Sequence, residues 1–238
     1  MRRRYGCLLI ALCLFAVALC AGYRYGGAMV ERRIETEVAS RIPRVIGVSA
    51  SYQVDASAGL AGVARGRIDS VRIRGTNVRL KSGISLSRFD TTLKGIHVDP
   101  VKRAPTRIES AEFNVSVTGA ELNSFLAKRY PEIPSRAELR DGFVRVAAEP
   151  RIKGTRVRVE ADAVLEIESG TRLVLRVRRV ASGPLAACEV AQRYVERRLN
   201  PVLDLTSLGI KGKLTSVNIR PGAVDLSGEG EPGALSKL

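Results

Sequence analysis

The chain has 238 residues, long enough for one domain with a substantial core, and its 39 Lys and Arg against 24 Asp and Glu give a formal net charge of +15. One histidine and 4 cysteines leave little material for a His-rich metal centre, a Ser-His-Asp triad or a disulfide framework. With no tryptophan and 5% aromatic residues, the core must be built mainly from Val, Ile and Leu.

Arg2, Arg3 and Arg4 precede an uncharged run, Tyr5 to Tyr23, that would span roughly 28 Å as a helix, close to a bilayer's hydrocarbon thickness. Basic residues ahead of such a run hold the N-terminus in the cytoplasm. Residues 1–23 are therefore read as a signal anchor or transmembrane segment. It would fix the rest of the chain on the extracytoplasmic side of the inner (cytoplasmic) membrane. Ala18-Leu19-Cys20 is a poor cleavage site, and length favours an anchor; cleavage would instead give a secreted or periplasmic protein. Residues 24–44 read as a juxtamembrane amphipathic helix, with Val30, Ile34, Val38 and Ile42 on one face and Pro43 ending it. The exported part keeps all the acidic residues and all basic ones but the first three. Export argues against nucleic acid as a partner and points to anionic headgroups or envelope polymers.

From residue 45 the apolar period becomes two. Val71 and Ile73 alternate with Arg72 and Arg74, Ile84 and Leu86 with serines, and Phe113, Val115 and Val117 with Asn114 and Ser116. These are strands with one apolar and one polar face, typical of antiparallel sheets. Gly75-Thr76-Asn77 and Lys81-Ser82-Gly83 read as turns between them. Thr118 with Glu121 forms a capping box, opening a helix with Leu122, Phe125 and Leu126 on its apolar stripe. Hairpins are expected at Asp141-Gly142, Ser169-Gly170 and Pro221-Gly222. A second helix is expected from Pro184 to Leu199, with Cys188 on its apolar face. Residues 45–230 form the domain and 231–238 a tail. Residues 67–80 and 213–226 share a pattern that would fit a duplicated hairpin. The fold class is α+β and β-rich, with a curled, mostly antiparallel sheet packed around one or two helices.

Reactive constellations are missing. His97, in Ile96-His97-Val98, has only Asp99 nearby in sequence, and reads as a strand-surface residue. No Gly-x-Ser-x-Gly elbow, P-loop or dinucleotide fingerprint is present. Asp69 and Asp90, in Arg-Ile-Asp and Arg-Phe-Asp, read as strand-end carboxylates bonded to local amides or arginines rather than as an acid–base pair. The expectation is a non-enzymatic protein with no catalytic residue, no metal and no cofactor.

Several runs together resemble the LmeA-like phospholipid-binding family of bacterial cell envelopes. They are Gly66 to Val71, Val78 to Leu86, Arg88 to Val98, Thr118-Gly119-Ala120-Glu121-Leu122-Asn123, the Asn200-Pro201 pair and Leu214 to Val217, in the expected order. The resemblance implies phospholipid binding and a tubular lipid-binding-like roll. It fixes no contact residues, so these come from pattern. Leu122, Phe125, Leu126, Leu165, Ile167, Leu173, Leu175 and Val177 are candidates for acyl-chain contact, and Arg176, Arg178 and Arg179 for an anionic headgroup. The expected protein is a membrane-tethered phospholipid carrier or sensor. The alternative is a non-lipid envelope scaffold whose basic strand faces bind an anionic polymer or a protein partner.

Overall fold

The computed structural model describes residues 47–49, 51–58, 65–80, 83–99, 104–132, 134–149, 151–152, 154–182, 200–206 and 211–231. The expected anchor, juxtamembrane helix and second helix lie outside these residues, as does Cys188. Among the described residues, no helix is long and apolar enough to cross a membrane.

Alternating sequence gives a β-rich fold in which every strand pairing is antiparallel. Gly47–Val48 (β1) and Ser51–Ser57 (β2) lie end to end along Arg67–Leu80 (β3), which pairs with Ser85–Asp99 (β4), and that with Ala104–Thr118 (β5). The helix Gly119–Arg129 (α1) follows. Next come Ser135–Arg140 (β6), Phe143–Ala148 (β7), the small pair Arg151–Ile152 (β8) and Thr155–Arg156 (β9), Val159–Glu168 (β10) and Arg172–Ser182 (β11). Leu203–Asp204 (β12), Gly212–Arg220 (β13) and Ala223–Gly230 (β14) complete the described elements. The first sheet is curled and runs β1/β2-β3-β4-β5-β14-β13; the second runs β12-β11-β10-β7-β6. Strand β14 slots between β5 and β13, pairing Ala223 with Thr118 and Gly230 with Ala111.

Two apolar clusters result. One belongs to β2–β5, around Val71, Val78, Phe89, Leu93 and Ile96. The other joins the two sheets, uniting Leu139, Val144 and Leu173 with Leu214, Ile219, Val224 and Leu226. Backbone bonds seal that seam, from Gly142 N to Ile219 O (2.9 Å) and Leu214 N to Gly170 O (2.6 Å). The hairpins at Asp141-Gly142, Ser169-Gly170 and Pro221-Gly222 form where expected.

The Gly75-Thr76-Asn77 turn does not form. All three residues lie inside β3, paired with β4 or β2 along most of their length. Asn77 does take a left-handed backbone (φ 51°), but neighbours on the ladder hold the chain extended on either side. What changes is the phase. Val71, Ile73 and Gly75 are buried on one side of Asn77 and Val78 on the other, so the buried positions switch from odd to even. Gly95 does the same in β4, between buried Leu93 and buried Ile96. Its φ of 59° disfavours a side chain, and a Cβ there would collide with Glu109. Residues 67–80 are therefore one bent strand, whereas 213–226 form a hairpin, and the two segments share no common unit.

Helix α1 carries the complete capping box: Glu121 N donates to Thr118 Oγ1 (3.3 Å) and Thr118 N to Glu121 Oε2 (2.7 Å). It lies against β6, β4 and β5. None of its side chains is fully buried, so it is not an axis enclosed by the sheet.

Candidate functional site

The antiparallel register of β10 and β11 sets Leu165 opposite Leu175, Ile167 opposite Leu173 and Ala163 opposite Val177. Side chains alternate along a strand, so these residues form two neighbouring aliphatic rows on one face. Leu165, Ile167 and Leu173 reach the inter-sheet cluster, where Leu122 and Leu126 join them from α1. Leu175 is buried and Val177 half-buried, and they extend the row along β11. Phe125 is half-buried and belongs to neither cluster. Leu122 and Val115 each touch both clusters, so α1 and β5 together supply the apolar bridge between them. The rest of this surface comes from Ala137, Leu139 and Val144 of β6 and β7, from Leu205 just after β12, and from Leu214, Ile219, Val224 and Leu226 of β13 and β14.

The three arginines lie along the far half of β11. Arg176 pairs with Glu168 (3.1 Å) and Glu166 (3.7 Å), and Arg179 with Asp162 (3.3 Å). Val177 pairs with Ala163 and Arg179 with Asp162, so the ladder has one extra residue, Arg178, at a β-bulge. Arg178 is exposed and has no ion pair among the described residues. Asp162 also accepts a bidentate pair from Arg145, and this guanidinium first of all holds its carboxyl below the usual range.

Asp90 is not at a strand end. It sits in the middle of β4, 5% exposed, and Arg72 grips it through Nε (3.0 Å) and a terminal nitrogen (2.6 Å). That bidentate contact is the main reason its carboxyl titrates low. His97 is half-exposed on β4, and its Nε2 lies 3.2 Å from Glu109, a partner supplied by β5. Among the described residues, no group of three or more His, Cys, Asp or Glu could hold a metal.

Two asparagines of the resembling motifs have a shared structural role. Asn123 accepts from Ala137 N (2.7 Å) and donates to Ala137 O (2.8 Å), on the outer edge of β6. Asn200 accepts from Leu175 N (2.8 Å) and donates to Leu175 O (3.0 Å) on β11. Each side-chain amide thus stands in for a neighbouring strand's peptide, at opposite sides of the second sheet.

The model of the LmeA-like phospholipid-binding family matches residues 21–229. The chain belongs to that family. The match spans both sheets, α1, the aliphatic rows of β10 and β11, and both asparagine contacts. No curated protein and no solved structure matches the chain. Membership in the family supports phospholipid as the ligand.

Proposed function

We propose that this chain is a non-enzymatic phospholipid carrier or sensor, tethered by Tyr5 to Tyr23 at the extracytoplasmic face of the inner membrane. The observation that carries the reading is the family match over residues 21–229. Acyl chains run along Leu165, Ile167, Leu173, Leu175 and Val177, with Leu122, Phe125 and Leu126 flanking them. An anionic headgroup meets the far end of β11. Of the three arginines there, Arg178 has the charge that no carboxylate offsets among the described residues. A tubular roll closed by the helix expected from Pro184 to Leu199 belongs to the same proposal.

Energetics set the demand on the surface. Burying a methylene is worth about 0.8 kcal/mol, and a lipid already enjoys this in the bilayer. A surface that left five methylenes wet would cost about 4 kcal/mol, roughly a thousandfold in occupancy. The aliphatic surface must therefore be long and continuous. The envelope-scaffold alternative needs unpaired arginines on the strand faces. It is less favoured because Arg72, Arg145, Arg176 and Arg220 each pair with a carboxylate.

Photo-crosslinking of the full-length protein with a phospholipid bearing a diazirine on its acyl chain tests the reading. Labelled peptides from α1, β10 and β11 are expected. Label confined to residues 1–44 overturns it.

A further inference from the structure

The opposite face of the first sheet, away from its apolar cluster, carries a polar hollow of about 520 Å³. Arg72 and Arg88 reach it from β3 and β4, and Arg220 from the end of β13, around the carboxylates of Asp90 and Asp225. Three guanidiniums against two carboxylates leave a net positive charge. Arg72 holds Asp90 bidentately and Arg220 holds Asp225 in the same way (2.6 and 3.4 Å). A guanidinium has five donors, so each pair leaves donors over. Arg88 is the least committed: its side chain is 68% exposed and makes one long contact, 3.5 Å, with Asp90. Asn114 lies on the same wall. Ser227 Oγ donates to its Oδ1 (2.7 Å).

We propose that this hollow is a second binding site, for a phosphoryl group, with Arg88 as its principal contact and the outer donors of Arg72 and Arg220 beside it. Planar forked donors around a net positive hollow match the tetrahedral oxygens of a phosphate ester better than a carboxylate-free apolar ligand. Asp90 and Asp225 preorganise the site, because each locks one arginine in place. Arg88 lines the hollow together with both pairs and lies 3.5 Å from Asp90. Val115 and Leu226 also border the hollow, but Val71, Ile73, Phe89 and Leu93 of the same sheet pack in the apolar cluster on the other face. The site is therefore separate from the acyl-chain surface, and one lipid cannot fill both through the sheet.

The phosphoryl group has two sources, a soluble phosphate ester or the headgroups of the bilayer surface. The test uses the full-length protein in phosphatidylcholine bilayer discs, titrated with glycerol phosphate by calorimetry. Arg88→Gln should weaken binding about tenfold or more, the scale of one charge-assisted hydrogen bond. Arg136→Gln on exposed β6 makes the same charge change and should leave affinity within twofold. Repeating the titration in discs containing phosphatidylglycerol separates the sources. Competition by that lipid assigns the site to the membrane surface, and unchanged affinity assigns it to a soluble ester. No binding of glycerol phosphate by the wild type, or equal weakening by both variants while each keeps its melting temperature, overturns the proposal.

Discussion

At the scale of single residues, Asp90 is buried and held by Arg72, and Gly95 has a left-handed backbone. Asp90, Asp162 and Asp225 all titrate low because an arginine binds each in two-pronged fashion. With the folded-state pKa below the unfolded value near 4, these pairs stabilise fully above about pH 4. Their contribution is lost as pH falls through the folded-state value. Asp90→Asn should cost about 2 kcal/mol at pH 7, less than breaking a wholly buried pair, because Arg72 is left half-exposed and water can reach it. Urea titrations at pH 7 and pH 3 check this: the gap between variant and wild type should shrink at the lower pH. Gly95→Ala should cost about 1–2 kcal/mol from its left-handed backbone, read as a lower Tm. His97→Ala, by contrast, removes one half-exposed contact with Glu109 and should leave lipid binding within a few-fold, measured by vesicle competition. The local arginine, Arg88, makes only a 3.5 Å contact with Asp90, and the bidentate partner Arg72 comes from β3, out of reach of a local reading. The burial of Asp90 is out of reach too, because that depends on which strand lies beside β4.

At the scale of elements, the sequence shows what local chemistry decides. The capping box of α1 and the glycine hairpins at 142, 170 and 222 are local devices and stand where their residues require. The bend at Asn77 reads as a turn from sequence because its left-handed tendency is local, while the ladder bonds from β2 and β4 that keep it in a strand are not. The same limit applies to the aliphatic surface. Alternation identifies Leu165, Ile167, Leu173 and Leu175, but the leucines and valines of β13 and β14 that complete the cluster are far away in sequence. The two asparagine contacts give a direct test. Asn123→Ala and Asn200→Ala each leave a strand N–H and C=O without their partner, and each should cost about 1–3 kcal/mol in urea denaturation. The contacts lie on opposite sides of the sheet, so the double variant should show additive losses. Marked non-additivity would mean that the two edges are coupled.

At the scale of the whole molecule, the charge distribution decides how the domain meets a membrane. Most strand-face arginines of the described residues pair with carboxylates, so the net +15 is the excess carried by the cations that remain. Unmatched cations such as Arg178 then set the long-range preference. Arg176→Gln with Arg178→Gln should weaken association with anionic vesicles more than with neutral ones. The difference should shrink as salt rises through about 0.1–1 M, measured by lipid-transfer or sedimentation assays. A double variant that keeps its fold and its full anionic preference would remove these arginines from the headgroup role.

The placement of β14 between β5 and β13 has a consequence in time. About a hundred residues separate Thr118 from its partner Ala223, so a ribosome working at roughly 5–20 residues per second leaves the free edge of β5 waiting roughly 5–20 s for its neighbour. During that interval the nascent chain presents an unpaired strand carrying Ile108, Phe113, Val115 and Val117, the kind of template that recruits other chains. The first sheet therefore cannot be finished until residues 223–230 have been made, and the cell must keep its copies apart until then.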